Sequence, residues 1–386
     1  MNIFQPSLTR LALRSLGVLI IGILPLQAPA APAYTLTNLG NFGGSFDFGM
    51  GVNNTGQVVK QFSPGGKTRA FLSGPNGIGF QELGTLGGTV TSGNGLSPSG
   101  QVVGTSFLAG DVFQHAFLSG INGGVLKDLG TLGGSSSQGF GVNDSGQVVG
   151  NAETKGNLSS DAFLSGAGGG MLIDLGTFGG TSSTGYAVNS SGQVAGIALN
   201  KTHSYHAFLS GANGGALTDL GTFGGTSSYA RGVNFSGQVI GTADTVNDVS
   251  SHAFVTGVDG SAIHDIGTLG GTNSGSFGIN DSGQVVGQAD TTGGGEDAFL
   301  FYGGVMTDLN TLIAPVSDFT LASAQGISNS GNIVGFGVTS GGEVDAFLLT
   351  PTAPVVPEAS SVVSLGLMLT LGLGGAMITV RRKKAY

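Results

Sequence analysis

The chain has no cysteine and no tryptophan in 386 residues. Without cysteine there is no disulfide framework and no thiolate metal site. Lysine and arginine together number only 13, too few for a nucleic-acid surface. Proline, at 11, is too scarce for collagen, and no Gly-X-Y period runs through the sequence. Charged residues make up 9%, against about 25% in ordinary domains. A charge-rich disordered chain is therefore excluded, as the 23 phenylalanines also indicate. Glycine fills the gap with 75 residues. A chain of this length holds two or three ordinary domains or one large repetitive one.

The two ends read as addresses. Arg10 and Arg14 precede an apolar run from Leu16 to Leu26, followed by the small residues of 28–33. That order predicts a secretory signal peptide over 1–33, cleaved by signal peptidase after Ala30 or Ala33. At the other end, Val362 to Val380 is 19 residues without a charge. As a helix it would span about 28 Å, close to a bilayer core. Arg381, Arg382, Lys383 and Lys384 follow at once and would hold that end in the cytoplasm. Val356, Pro357 and Glu358 stand just before the run.

This tripartite tail resembles the PEP-CTERM sorting signal of Gram-negative bacteria, with Ala359 where that family usually has proline. The resemblance implies a linker with the sorting motif over 351–360 and a transmembrane helix with a basic tail over 361–386. It further implies processing by an exosortase-like enzyme and delivery to the cell surface or extracellular matrix through an inner-membrane intermediate. A plain membrane anchor is the alternative. Between Tyr34 and Thr350, seven basic residues face 21 acidic ones, a net charge of −14. Such a body repels phosphate backbones and anionic membranes, so its membrane contact is expected only through the C-terminal helix before processing.

The middle, 34–350, is one unit written seven times. A phrase Asp-Leu-Gly-Thr-Leu-Gly-Gly recurs with its first apolar residue at Leu39, Leu83, Leu129, Leu175, Leu220, Ile266 and Leu309. A phrase Gly-Val-Asn-x-Ser-Gly-Gln-Val-Val-Gly has its turn glycine at Gly56, Gly100, Gly146, Gly192, Gly237, Gly283 and Gly331. A phrase His-Ala-Phe-Leu-Ser-Gly has its aromatic residue at Phe71, Phe117, Phe163, Phe208, Phe254, Phe299 and Phe347. Spacings run from 43 to 48 residues. The phrases resemble the HAF family of extracellular repeats, with the full His-Ala-Phe at 115–117, 206–208 and 252–254. That resemblance implies export and a repeat fold, without an established activity.

Each unit carries four short apolar strand signals separated by glycine-rich turns. In the Asn-x-Ser-Gly turn the asparagine side chain caps the turn and glycine takes the positive φ. Four antiparallel strands in about 45 residues is one propeller blade. The expected fold is an all-β, seven-bladed propeller, with an open β-solenoid as the alternative. Tyr34–Leu39 carries the Asp-Leu-Gly type of strand without the Ala-Phe-Leu strand that precedes it elsewhere, and Asp345–Leu349 carries the Ala-Phe-Leu type without the strand that follows it elsewhere. The two are expected to pair and close the ring.

Chemistry-bearing residues are few. The repeated aspartates Asp128, Asp174, Asp219, Asp265 and Asp308 read as caps of local backbone donors rather than a cation ring. His115, His206 and His252 fall at one blade position, too far apart for a three-histidine metal site unless they line the axis. Glu296 and Asp297 are adjacent and point apart, unlike a hydrolytic carboxylate pair. No catalytic, metal or cofactor residues are assigned. The variable stretches, such as Thr105–Leu108 and Thr242–Thr245, are read as loops where a binding face would lie. The expected function is an exported structural or binding module, its partner an extracellular polysaccharide or surface protein. An extracellular glycan hydrolase or lyase is the alternative.

Overall fold

The computed structural model describes residues 34–40, 48–63, 66–314 and 318–352. The expectations for the ends (Ala30, Ala33, Val356, Pro357, Glu358 and Arg381 to Lys384) lie outside the described residues. No described helix is long and apolar enough to cross a membrane. Apart from short 3-10 turns, the described chain is strand and connection.

One unit shows why the phrases fold as they do. Its strands are Gly133–Val142, Val148–Thr154, Ser160–Ser165 and Leu172–Asp174, each antiparallel to the next. In the turn after the first strand, Asn143 Oδ1 accepts from the amides of Ser145 and Gln147 at 3.1 and 3.0 Å. Gly146 sits at φ 71, the left-handed region that glycine enters without cost. Ser165 Oγ accepts the Val148 amide at 2.8 Å, so the serine closing Ala-Phe-Leu-Ser satisfies the donor that opens the second strand. Phe163 lies directly opposite Gly150 and is fully buried.

Hydrogen bonds join the strands into six sheets, five of four strands and one of eight. The eight-stranded sheet is two antiparallel four-stranded sets, touching through a parallel bridge at Ser160–Ser182. The first strands of all the sets converge on a single cavity lined by Gly51, Gly95, Gly141, Ala187, Gly232, Gly278 and Gly326 with their neighbours. The architecture is a β-propeller around that axis. Glycine there has a steric reason. A Cβ on Gly141 would stand 2.6 Å from the Tyr186 carbonyl oxygen of the next set.

Polar clips hold set to set. Ser183 Oγ accepts the Ala162 amide of the preceding set at 2.7 Å and donates to the Gly176 carbonyl at 2.6 Å. Asn143 Nδ2 donates to the Asn189 carbonyl at 2.9 Å, and Asn189 repeats the bond to Asn234 at 3.1 Å. The turn asparagine thus caps its own turn with its oxygen and ties the neighbouring set with its nitrogen.

The ring closes as the orphan phrases required. Tyr34–Gly40 pairs antiparallel with Val344–Pro351, placing Leu36 opposite Leu349 and Asn38 opposite Phe347. The last set then meets the first: the Ser330 amide donates to Asn54 Oδ1 at 3.1 Å. The solenoid alternative needed parallel strand ladders and separated ends, whereas the strands within each set pair antiparallel and the first described strand pairs with the last.

The first set departs from the others. Where six sets have glycine opposite the phenylalanine, Lys60 faces Phe71. Lys60 is fully buried, with Nζ 3.4–3.5 Å from the Leu39 and Gly40 carbonyl oxygens and 4.7 Å from the Phe80 ring centroid. Displaced from a glycine seat, Phe71 stacks on Phe62 with centroids 4.3 Å apart.

Candidate functional site

The residue just before each Gly-Val-Asn phrase lies near the end of a first strand, beside the glycine ring. In most of the chain the repeats agree, but at this position they do not. Asn94, Phe140, Tyr186, Arg231, Phe277 and Gln325 meet around an axial cavity of about 420 Å³. That size falls within the roughly 300–1,000 Å³ of small-ligand sites. Phe140 and Tyr186 lie 5.3 Å apart, inclined at 47°. The Arg231 guanidinium sits 4.6 Å from the Tyr186 ring centroid, a cation–π contact. Asn94 Nδ2 donates to the Gly139 carbonyl at 2.8 Å, and Gln325 Nε2 donates to Ser323 Oγ at 2.7 Å. Each amide is thereby oriented while its oxygen remains an acceptor beside the cavity. No carboxylate is among the residues lining this cavity. The site can therefore stack planar or ring-shaped groups, supply amide hydrogen bonds and attract an anion.

Sequence reasoning looked for variation in the gaps between phrases. That expectation needs correction. Thr105–Leu108 lies within the strand Val102–Leu108, and Thr242–Thr245 within Val239–Thr245. The true connections come after them and are short, such as the turn at Val246–Asp248. The axial ring was missed because its members sit inside the conserved phrase. The available signal was a single position, next to the recurring Gly-Val-Asn phrase, whose residue changes from copy to copy, with only phenylalanine occurring twice among Asn94, Phe140, Tyr186, Arg231, Phe277 and Gln325.

The acidic and histidine residues form outer pairs instead. Asp128 Oδ1 accepts the Gly130 amide at 2.8 Å, the local cap expected. Its carboxylate also meets His115 Nδ1 at 2.8 Å. His206–Asp219 and His252–Asp265 repeat the pair at 2.8 and 2.7 Å, and Arg69–Glu82 replaces it in the first set at 3.0 Å. In the closing set Asn38 Nδ2 donates to Asp345 Oδ2 at 2.9 Å. His203 stands apart from these pairs in a turn at φ 65. No group of three or more metal-ligating side chains occurs among the described residues.

Two sets put like charges at this position. Asp161 faces Asp174, and Asp297 faces Asp308. Burial first, and then the facing carboxylate, push the Asp161 and Asp297 carboxyls above the usual range. A carboxyl with a raised folded pKa binds its proton more tightly in the folded chain than in the unfolded one. Its contribution to stability therefore grows as pH falls through that raised value and levels off below the ordinary carboxylate value. Asp161→Asn would recreate the amide–carboxylate pair of the closing set. We expect it to stabilise by on the order of 0.5–1 kcal/mol at pH 7. Thermal melts across pH should show that gain shrinking toward pH 4. A gain that grows on acidification would contradict the assignment.

No protein-family model and no curated protein sequence matches the chain. Solved structures do match in fold. Puromycin hydrolase superposes with a TM-score of 0.53 at 14% identity, over 86% of this chain and 55% of that one. The acylaminoacyl peptidase of Pyrococcus horikoshii superposes with a TM-score of 0.51 at 10% identity, over 84% and 54%. TolB from Acinetobacter baumannii gives a TM-score of 0.41 at 15% identity, over 59% and 61%. The chain spans about half the length of the two hydrolases. At these identities the likeness is one of β-propeller scaffold alone.

Proposed function

We propose that the chain is an exported, surface-held binding module: a seven-bladed propeller whose axial cavity takes a glycan without cleaving it. Counting the eight-stranded sheet as two blades matches the seven copies of each phrase. The HAF-type phrases, the signal-peptide pattern and the Pro357-Glu358 tail support export and exosortase-type sorting. A single observation carries the binding reading. On a scaffold that repeats almost everywhere, the side chains gathered at the axis comprise three aromatics, two amides and one arginine. Aromatic faces stack on the apolar faces of sugar rings, and amides hydrogen-bond to hydroxyls. Hydrolysis of a glycosidic bond calls instead for two carboxylates flanking it, and this cavity's lining has none.

Glycan-array binding, followed by calorimetry and product sizing with the purified full chain, tests this. Saturable binding without chain shortening is expected, weakened about tenfold by Tyr186→Ala. Shortened products would transfer the assignment to the hydrolase or lyase class. Binding indifferent to Tyr186→Ala and Phe140→Ala would remove the ligand from the axis.

A further inference from the structure

We propose that the axial cavity selects an acidic saccharide, a uronate unit whose carboxylate is held by Arg231. The proposal rests on the binding-module reading and deepens it. Arg231 is the only lysine or arginine on any of the first strands. It stands in a body whose net charge is −14, where a cation would ordinarily be claimed by a neighbouring carboxylate. Yet no ion pair or hydrogen bond engages it among the described residues. The side chain is exposed, stacked on Tyr186, and forms part of the cavity lining.

The chemistry of the guanidinium narrows the ligand. The guanidinium centre lies 4.6 Å from the Tyr186 ring centroid, and no hydrogen bond among the described residues occupies its planar fork of donors, which is left for a ligand. That fork matches a carboxylate in bidentate fashion. The stack also restricts the side chain before binding, which reduces the ordering cost of capture. Around the guanidinium, Phe140, Tyr186 and Phe277 offer ring faces, and Asn94 and Gln325 offer amide groups. A ligand that uses all of these carries a carboxylate, hydroxyls and a ring with an apolar face, which describes a uronic acid. A simple inorganic anion would leave the aromatic faces unused. A neutral sugar would leave the guanidinium unused.

Calorimetry with the full chain decides this, using an oligogalacturonate and its methyl ester as probes. The two ligands share every ring and hydroxyl and differ in charge. The acid is expected to bind at least about tenfold more tightly than the ester. Arg231→Gln should abolish that preference, Arg231→Lys should restore part of it, and added salt should weaken only the acid. Thermal melts of the Arg231 variants verify that the propeller is intact. Equal affinity for acid and ester, or an unchanged preference in Arg231→Gln, would overturn the proposal. If neutral glycans bind and depend on Tyr186, the module reading stands while the uronate assignment falls. If no glycan of either charge binds, both fall.

Discussion

A chain lacking residues 34–40 is expected to lose roughly 5 kcal/mol of stability or more, and to open first at its last set. The strand Tyr34–Gly40 completes that set, so its removal strips one edge of Val344–Pro351 of its hydrogen-bonding partner. It also removes two buried side chains from different clusters. Tyr34 packs with Leu300, Leu309, Phe319 and Leu321, and Leu39 packs with Val58, Val334 and Leu348. Losing one large buried side chain costs about 2–5 kcal/mol. Lys60 of the first set would in addition lose its two carbonyl acceptors, on Leu39 and Gly40. The damage therefore spreads to both sides of the closure. Hydrogen exchange should rise around Phe347 before it rises around Phe163, with the midpoint of urea unfolding displaced downward. A control separates packing from hydrogen bonding. The Tyr34 hydroxyl is buried without a partner, so Tyr34→Phe should leave stability equal or higher. A truncated chain that melts like the full one would mean that the ring is held by side-chain contacts between sets alone.

The closure was legible because it follows from counting. Seven copies of a four-strand unit, begun one strand out of phase, leave one orphan phrase at each end, and unpaired strand edges are hazardous. The turn asparagine was legible in half of its role. Its oxygen was expected to cap the turn, and Asn143 does so. Its nitrogen reaches the Asn189 carbonyl in the next set, a contact that depends on how sets are placed and so cannot be read from one unit. The aspartate caps were anticipated, but the His115–Asp128 pair was not. The two residues are 13 apart in sequence and meet only once the third and fourth strands are registered. The axial ring was obscured for a similar reason. Alternation along a strand tells which residues share a face, but not that seven such strands point one face at a common axis. The buried Lys60 broke an invariant glycine position in plain view. Its consequence depends on the closing strand supplying its acceptors.

That glycine position carries the second large effect, and Gly150→Ala should destabilise the protein by about 3 kcal/mol or more. The glycine is not there for a special backbone angle, since it is absent from the positive-φ positions. The reason is space on both sides. A Cβ on Gly150 would collide with the Gln138 carbonyl oxygen of the first strand and would stand 2.9 Å from the Phe163 ring. Both obstacles are fixed. The carbonyl belongs to a strand whose register shifts between Gly139 and Gly141, and Phe163 is fully buried. Gly104, Gly196, Gly287 and Gly335 sit under the same constraint, and Gly241 is hemmed in by the first-strand backbone at Tyr229 and Ala230. The first set indicates what relief would require. With Lys60 at this position, Phe71 is only half buried and leans on Phe62. At position 152, two residues after Gly150 and equivalent to Phe62, the chain carries a buried alanine rather than an aromatic support, and Gly150→Ala gains no such stacking partner. Urea unfolding of Gly150→Ala beside Gly176→Ala measures the steric part. Gly176 has φ 74 and open space around its Cβ position, so its alanine variant reports backbone strain alone, about 1 kcal/mol. If Gly150→Ala costs no more than Gly176→Ala, the close approach of the first and second strands is not what keeps glycine in this phrase.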